Sequence, residues 1–532
     1  MDGPSREELL RDVALYREAN DAYQKRNLPK ARELLEKLLA SEKGVSLHAL
    51  LLKAYIERAE KKPLSEMRTL EELLRIFDTQ LASGKAQSQL AAAWSLLGAA
   101  CSALGESALA ETAFLHSVER EPDRNQRLVE YSNAIFSANH NPRRTAEDMR
   151  RLYRGYRALL ADAAPYGKRF GRHEKLRIGY LSGDFRRHPV AYFVFAPLRF
   201  FDQAHFEVYG YAVHQKSDDL TETLRRLPTV WRAFPSEDWA EIAAAIHEDE
   251  IDILVDLSGH TSTSCLPVLA YQPAPIQMSG IGYMNSTGLE NVDYFLSDAY
   301  CSPRKMSAYF TERMLRLPET HLCYTRPGVF PEVMRPPCLE KGYVTFGCFN
   351  NFSKVTPEVL RLWAQIMDAV PTTRLVLKHK LFDAEEGRVW GRSRLRDAGI
   401  DDARVELRGF SGDYLSEYHD VDIALDSSPY TGGLTTCEAL YMGVPVVTLA
   451  GTRHGSRFGV SLLTNVGLPE LAAPSEAEYI GIAAALAEDT ALLSELRGRL
   501  RPMMAASPLM DGPGYVRELE KAFFRIYCEI RR

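Results

Sequence analysis

Residues 422–451 read DIALDSSPYTGGLTTCEALYMGVPVVTLAG. The aliphatic run Asp422–Asp426 leads into Pro429-Tyr430-Thr431-Gly432-Gly433-Leu434-Thr435-Thr436, then a helical pattern from Cys437, Glu438, Ala439 and Leu440, then a second apolar run, PVVTLAG. Strand, loop, helix and strand in that order specify a parallel βαβ unit. Gly432 and Gly433 permit a tight turn and a close backbone approach to a ligand. The unpaired N–H groups of the helix start, with the hydroxyls of Thr435 and Thr436, suit a pyrophosphate. Glu438 lies one turn beyond Thr435, where a carboxylate repels phosphate but accepts hydrogen bonds from ribose hydroxyls. The same residues also fit an ordinary glycine-rich turn capped by threonines.

Outward from this stretch the same alternation continues. LRIGYLSG, FEVYGYAV, IDILVDLSG, PIQMSGIGY and YFLSD form one set of strands, and VTFGCFN, RLVLKHK, RVELRGF, DIALDSS and PVVTLAG form another. Two successive sets separated by helical patterns predict two doubly wound domains with parallel sheets. In such sheets ligands bind beyond the carboxyl ends of the strands, so the loops there hold the candidate chemistry. After Val344–Phe349 come Asn350, Asn351, Phe352, Ser353 and Lys354. A lysine in this loop can place an ammonium on a departing diphosphate, and its position near a helix start is unfavourable unless an anion lies between. After Leu176–Leu181 come Ser182, Gly183, Asp184 and then His188-Pro189, and after IDILVDLSG comes His260. Either histidine can contact an acceptor or accept a proton, although a lone histidine is more often structural. No GxxxxGK[ST] loop and no complete GxGxxG opening a helix occurs, which removes the main support for P-loop and dinucleotide-dehydrogenase readings.

The first 165 or so residues lack strand alternation and carry apolar residues at helical spacing. Trp94, Leu97, Gly98, Cys101, Ala110, Phe114 and Pro122 follow the tetratricopeptide (TPR) template. A weaker unit surrounds Ala19, Ala22, Ala31 and Leu35, and residues 44–85 match poorly, so a short degenerate array is expected. Such arrays bind peptides or partner proteins. The domain reading is therefore a TPR-like helical region over 1–165, a first lobe over 166–325, a linker over 326–340, a second lobe over 341–510, and a final helix over 511–532 that returns to the first lobe.

Composition bounds the rest. The 532 residues are 45% hydrophobic and 26% charged, the balance of a globular chain with ample core. A net charge of −6 argues against nucleic acid as a partner. Eight cysteines without a CxxC pair disfavour a zinc module or a disulfide framework. The start lacks the apolar core of a signal peptide, and no stretch is long enough to insert into a membrane, so a cytoplasmic location is expected.

Taken together, LRIGYLSGDFRRHPV, IDILVDLSGHT, YQPAPIQMSGIGYMNSTG, CFNNFSKVTP and ALDSSPYTGGLTTCEALYMGVPVVTLAGTRHGSR resemble, in order and spacing, the O-GlcNAc transferase and SPINDLY family, glycosyltransferase family 41. The resemblance implies a GT-B fold of two Rossmann-like lobes behind the helical repeats. It implies inverting transfer of a sugar from a nucleotide donor, such as UDP-GlcNAc, to protein Ser or Thr, with no metal and no other cofactor. His188 matches the active-site histidine of the family and Lys354 the lysine at the departing diphosphate. Asn351, Gly432, Gly433, Leu434, Thr435, Thr436 and Glu438 fall in the nucleotide-sugar pocket, and His260 and Tyr283 on the acceptor or sugar side. The implied partners are the donor and a protein or peptide acceptor bound along the TPR face. GDP-fucose with a protein hydroxyl, UDP-glucose with asparagine, and a non-catalytic TPR adaptor that binds nucleotide-sugar are the alternatives.

Overall fold

The computed structural model describes residues 6–40, 45–78, 86–213, 216–326 and 328–531. These fall into two compact units. One comprises the helices between Arg6 and His140 with His379–Leu395 and Leu407–Phe410; the other comprises Pro142–Lys378, Arg396–Glu406 and the chain from Ser411 onward.

In the first unit seven helices follow one another: Arg6–Gln24, Leu28–Leu39, Leu47–Ala59, Pro63–Phe77, Gln87–Leu104, Ser107–Arg120 and Arg124–His140. Their boundaries follow local chemistry. Ser46 and Asp123 cap helix starts by accepting the N–H groups of Ala49 and Gln126. Gly105, in the left-handed region at φ 82°, ends the helix Gln87–Leu104 where a side chain would be strained. The TPR positions pack as the template requires. A Cβ at Gly98 would meet the Phe114 ring at 2.7 Å, so the absent side chain lets the paired helices close. Ala19, Ala22, Ala31 and Leu35 form a buried cluster in the weaker unit. The poorly matching segment also holds a helix pair, and Leu50, Leu70 and Leu73 join the core of Leu90, Leu97 and Phe114. Its apolar spacing preserves the hairpin although the signature residues are gone; residues 44 and 79–85 of that segment lie outside those described.

Two ends of these helices are completed from far along the chain. Glu386 accepts the N–H of Leu64 at 3.2 Å and the hydroxyl of Ser65 at 2.6 Å, which caps the helix Pro63–Phe77. Trp390 Nε1 and Arg394 donate to the Leu104 carbonyl at 3.1 and 3.0 Å, which satisfies an acceptor at the end of the helix Gln87–Leu104.

The second unit holds one more front helix, Ala146–Ala158, and two parallel sheets. The first sheet has β1 (Leu176–Ser182), β2 (Phe206–Val213), β3 (Val230–Phe234), β4 (Ile253–Asp256), β5 (Ile276–Ser279), β6 (Tyr294–Asp298) and β7 (Arg313–Leu317) in the order β3-β2-β1-β4-β5-β6-β7. The second has β8 (Thr345–Cys348), β9 (Arg374–Lys378), β10 (Val405–Arg408), β11 (Ile423–Leu425), β12 (Val446–Leu449) and β13 (Ala472–Ala473) in the order β10-β9-β8-β11-β12-β13. Both orders reverse beside their first strand, which creates the switch-point crevice of a doubly wound fold. The expected two Rossmann-like lobes of a GT-B architecture are present.

Five strands were expected in each sheet, whereas the sheets hold seven and six. The extra β3 and β7 are edge strands, β3 with no buried residue and β7 with two arginines, so neither carries the apolar signal of a strand covered on both faces. Strand β13 is too short to be read. The linker is tied down at its start: Thr325 N–H donates to the Tyr192 carbonyl at 2.9 Å. Pro327, within the expected linker, lies outside the described residues. The final helix, Gly512–Arg531, packs on the first lobe, where Glu520 accepts the Asp202 N–H at 2.7 Å and Phe524 meets Phe206. Among the described residues no helix is long and apolar enough to cross a membrane.

Replacing Gly98 by Leu forces the helix pair apart and is expected to cost ~1–3 kcal/mol. A lowered urea midpoint followed by circular dichroism on the full chain checks this.

Candidate active site

The loops beyond β8 and β11 meet around a buried carboxylate. Asp426, just after β11, accepts the N–H of Gly432 at 2.7 Å and of Ser427 at 2.9 Å, Nδ2 of Asn350 at 3.1 Å, and the hydroxyl of Thr448 in β12 at 2.8 Å. Burial pushes its pKa up, and the donors and Lys354 pull against that. The cluster fixes the glycine-rich loop so that the helix Leu434–Tyr441 begins immediately after it.

The two glycines do different work. A Cβ at Gly432 would lie 2.6 Å from Thr436 Oγ1, 2.7 Å from Thr435 Oγ1 and 3.0 Å from Asn350 Oδ1, so packing demands glycine there. At Gly433 a Cβ would meet nothing within 4 Å, so the backbone at the helix start faces open space. Leu434 and Thr435 are half-buried beside it, and Thr435 donates to Asn350 Oδ1. Thr436 is buried, with its hydroxyl on the Gly432 carbonyl at 3.2 Å.

Lys354 ends a short 3-10 turn, Phe352–Lys354. Its Nζ donates to the Thr431 carbonyl at 3.2 Å and lies 3.5 Å from the centroid of the Tyr430 ring. Burial lowers its pKa to about 8, with Asp426 opposing the shift. At neutral pH the ammonium persists, held by a carbonyl and an aromatic face that leave its charge unneutralised at contact range. Asn351 is exposed and caps this turn by accepting the Ser353 N–H at 3.1 Å. The inward residue is its neighbour Asn350, which the sequence reading passed over.

Glu438 is 2% exposed and accepts the hydroxyl of Tyr414. Burial raises its pKa to about 7, and the Tyr414 contact only partly offsets this. Tyr414 is a second residue that sequence reasoning missed, since it lies outside the quoted stretch.

On the first lobe, His188 caps the helix Pro189–Phe200, its Nδ1 facing the Val190 N–H at 3.4 Å and Asp184 Oδ2 at 3.7 Å. Asp184 is buried and is itself held by Thr263 Oγ1 at 2.5 Å and Arg186 at 3.1 Å. Burial lowers the His188 pKa more than Asp184 raises it, so the ring is neutral near pH 7 and able to accept a proton. Tyr192, one turn along the same helix, has its phenol pushed up by burial and, in part, by the charge of Glu438. The two lobes meet near this helix, where the Thr325 N–H donates to the Tyr192 carbonyl at 2.9 Å.

His260 and Tyr283 are placed differently from the other candidates. His260 is fully buried, its Nε2 on the Thr287 carbonyl at 2.8 Å and its ring enclosed by Tyr153, Tyr156 and Tyr283. Burial lowers its pKa to about 4. Tyr283 is 2% exposed and leaves no room for a Cβ at Gly259. Both belong to the interior of the first lobe, where they brace the loop after β4.

Among the described residues one group has metal-ligand spacing, Asp298, Cys301 and His321. Asp298 is already engaged by His321 Nδ1 at 2.5 Å, Ser461 Oγ at 2.8 Å and the N–H groups of Tyr300 and Cys301, an arrangement that ties the lobes together.

The profile of glycosyl transferase family 41 matches residues 158–341 and 336–519, both lobes in full. The chain belongs to this family. Among relatives of family 41, the probable UDP-N-acetylglucosamine--peptide N-acetylglucosaminyltransferase SPINDLY of Arabidopsis thaliana is 43% identical over 364 residues, 66% of this chain and 40% of that one. The UDP-N-acetylglucosamine--peptide N-acetylglucosaminyltransferase of Caenorhabditis elegans is 24% identical over 469 residues, 65% of this chain and 40% of that one. A solved structure of a mutant O-GlcNAc transferase from Thermobaculum terrenum superposes with a TM-score of 0.82 at 30% identity and covers 99% of both chains. This family 41 chain thus spans about two fifths of the length of the curated relatives it matches.

A carboxyl whose folded pKa is near 7 and whose ordinary value is 4.5 binds a proton in the fold that the unfolded chain releases. Glu438 therefore contributes full stability below pH 4.5, and that contribution is lost as pH rises through about 7, at a cost of ~3 kcal/mol. Glu438→Gln is expected to be more stable than wild type at pH 8 and nearly equal at pH 4.5, read from urea unfolding at the two pH values.

Proposed function

We propose that this chain is an inverting protein O-glycosyltransferase that needs no metal and moves N-acetylglucosamine from UDP-N-acetylglucosamine to serine or threonine of a protein acceptor. The observation that carries the reading is the placement of Lys354, whose Nζ lies on the Thr431 carbonyl at 3.2 Å, beside the open helix start at Gly433. The names that the relatives carry support the choice of donor and of a protein acceptor. The helical front is read as the surface that presents the acceptor protein.

In this mechanism the acceptor hydroxyl oxygen forms a bond to the anomeric carbon as the bond from that carbon to the diphosphate breaks on the opposite face. The bonding electron pair leaves with the diphosphate. Lys354 and the N–H groups at Gly433–Thr435 meet that growing negative charge, which exists mainly in the transition state. Such fixed donors supply the compensation that a divalent cation supplies elsewhere. The proton of the hydroxyl passes toward Nε2 of neutral His188 in the tautomer that carries its hydrogen on Nδ1, the nitrogen that faces Asp184 Oδ2 at 3.7 Å. Glu438, poised between ionised and neutral forms, is suited to ribose hydroxyls rather than to phosphate.

The test is a donor panel of UDP-GlcNAc, UDP-glucose and GDP-fucose on the purified full chain, scored by thermal shift and by sugar release, with and without EDTA. UDP-GlcNAc is expected to raise the melting temperature and to be turned over in EDTA. Lys354→Ala is expected to lose ~10²–10³-fold in turnover while melting as wild type does. Wild-type turnover in that variant would remove the leaving-group role; a strict metal requirement, or response to GDP-fucose alone, would overturn the corresponding part of the proposal.

Because the Lys354 pKa lies at about 8, UDP binding is expected to weaken above that pH, approaching tenfold per pH unit. The terminal phosphate of UDP is already ionised there, and the uracil N3–H, which ionises at the alkaline end, contributes equally to wild type and to Lys354→Ala, so the difference between their slopes reports Lys354. Calorimetric titration from pH 7 to 10 checks it, and Lys354→Ala should flatten the profile.

A further inference from the structure

The segment 453–456 of the second lobe is held by the first lobe through hydroxyl groups. His454 is buried, and its Nδ1 faces Ser302 Oγ at 2.9 Å and Ser297 Oγ at 3.2 Å, both in or just after β6. Phe295 and Phe458 meet its ring edge-on, at 5.1 and 5.2 Å between centroids. Burial first, and His321 second, push the His454 pKa far down, so the ring is neutral and keeps a lone pair to accept a hydroxyl hydrogen. The next residue, Gly455, is pressed from the first lobe: a Cβ there would lie 2.7 Å from the Met284 Cβ. The Gly455 carbonyl accepts both the N–H and the hydroxyl of Thr431 at 3.0 Å. The Thr431 carbonyl in turn accepts Lys354 Nζ at 3.2 Å.

These contacts form one unbroken series from two serines of the first lobe to the lysine of the second. We propose that His454 is a positioning residue for Lys354: anchored by Ser297 and Ser302, it holds the Gly455 carbonyl where it fixes Thr431, and Thr431 aims the ammonium at the terminal phosphate of the nucleotide. The inference rests on the donor-site reading above. It adds that the leaving-group lysine is set by a residue that touches no ligand, and that its aim depends on the two lobes being correctly seated. Other contacts between the lobes do not pass through His454. Ser461 donates to Asp298 at 2.8 Å and Arg457 Nε donates to the Tyr300 carbonyl at 2.8 Å, so removal of the imidazole leaves the lobes joined.

The experiment is calorimetric titration of UDP, GDP, UMP and GMP into the full chain as wild type, His454→Phe, His454→Asn, Ser302→Ala, Lys354→Ala and the double variant His454→Phe with Lys354→Ala. His454→Phe keeps ring volume and loses the acceptor; it should weaken the diphosphate by about tenfold and the monophosphate by less than about twofold, the size of one charged hydrogen bond misplaced. His454→Asn, whose side-chain oxygen reaches the position of Nδ1, should restore most of the loss. In the Lys354→Ala background His454→Phe should add less than about twofold, because coupled residues are not additive. Should His454→Phe fail to fold, Ser302→Ala carries the same comparison with a smaller loss confined to the diphosphate. Equal loss for mono- and diphosphate, full additivity with Lys354→Ala, or no loss at all overturns the inference while leaving the donor site standing. Failure of wild type to bind either diphosphate overturns the donor site and the inference together.

Discussion

Asp426 is the constraint on which the second lobe's side of the crevice depends. A carboxylate buried at the end of a central strand is costly unless its lone pairs are filled. Here they are filled by donors from three places: the loop after β8 through Asn350, the glycine-rich loop through Gly432 and Ser427, and β12 through Thr448. Loops that carry no regular structure of their own thereby gain fixed positions relative to the sheet. The open helix start, the threonine hydroxyls and the lysine loop inherit their geometry from this one group. The three N–H groups all fall on Oδ1 and the Thr448 hydroxyl on Oδ2, so removal of the side chain would leave buried N–H groups without an acceptor, while the negative charge strengthens each of the bonds.

The first lobe is organised by the same means. Asp184, buried just past β1, is held by Thr263 and Arg186 and faces His188. Each lobe thus places a buried carboxylate beyond a strand next to its switch point: Asp426 draws its donors together in the second, and Asp184 faces the imidazole of His188 in the first. Between the lobes, Asp298 and His321 with Ser461 provide a polar junction of fixed direction, where apolar packing alone would permit sliding.

The sequence made most of this architecture legible for a definite reason. Strands covered on both faces are written as largely apolar runs, so β1, β2, β4, β8, β9, β11 and β12 could be read directly, and the candidate site residues follow from the rule that ligands bind beyond them. His188 and Lys354 lie in the segments just beyond β1 and β8, and Thr435 and Glu438 in the helix that follows the loop beyond β11. What could not be read was of two kinds. Edge strands β3 and β7 lack the apolar signal because solvent satisfies one side of them. Within loops, neighbours cannot be told apart by periodicity: Asn351 was chosen and Asn350 points inward, while His260 and Tyr283 turn out to be interior supports. Tyr414 and His454 act through contacts between segments far apart in the chain, which no local pattern encodes.

Glu386, Trp390 and Arg394 complete helix ends in the front unit although they are encoded some three hundred residues later, as the separations of 322, 286 and 290 positions indicate. During synthesis the amino-terminal hairpins leave the ribosome before those partners exist. Their outermost polar groups must stay hydrated until the second lobe has emerged. Final consolidation of the front unit is thereby deferred until residues 386–394 have been made, and a chain cut short before Glu386 lacks the groups that finish it.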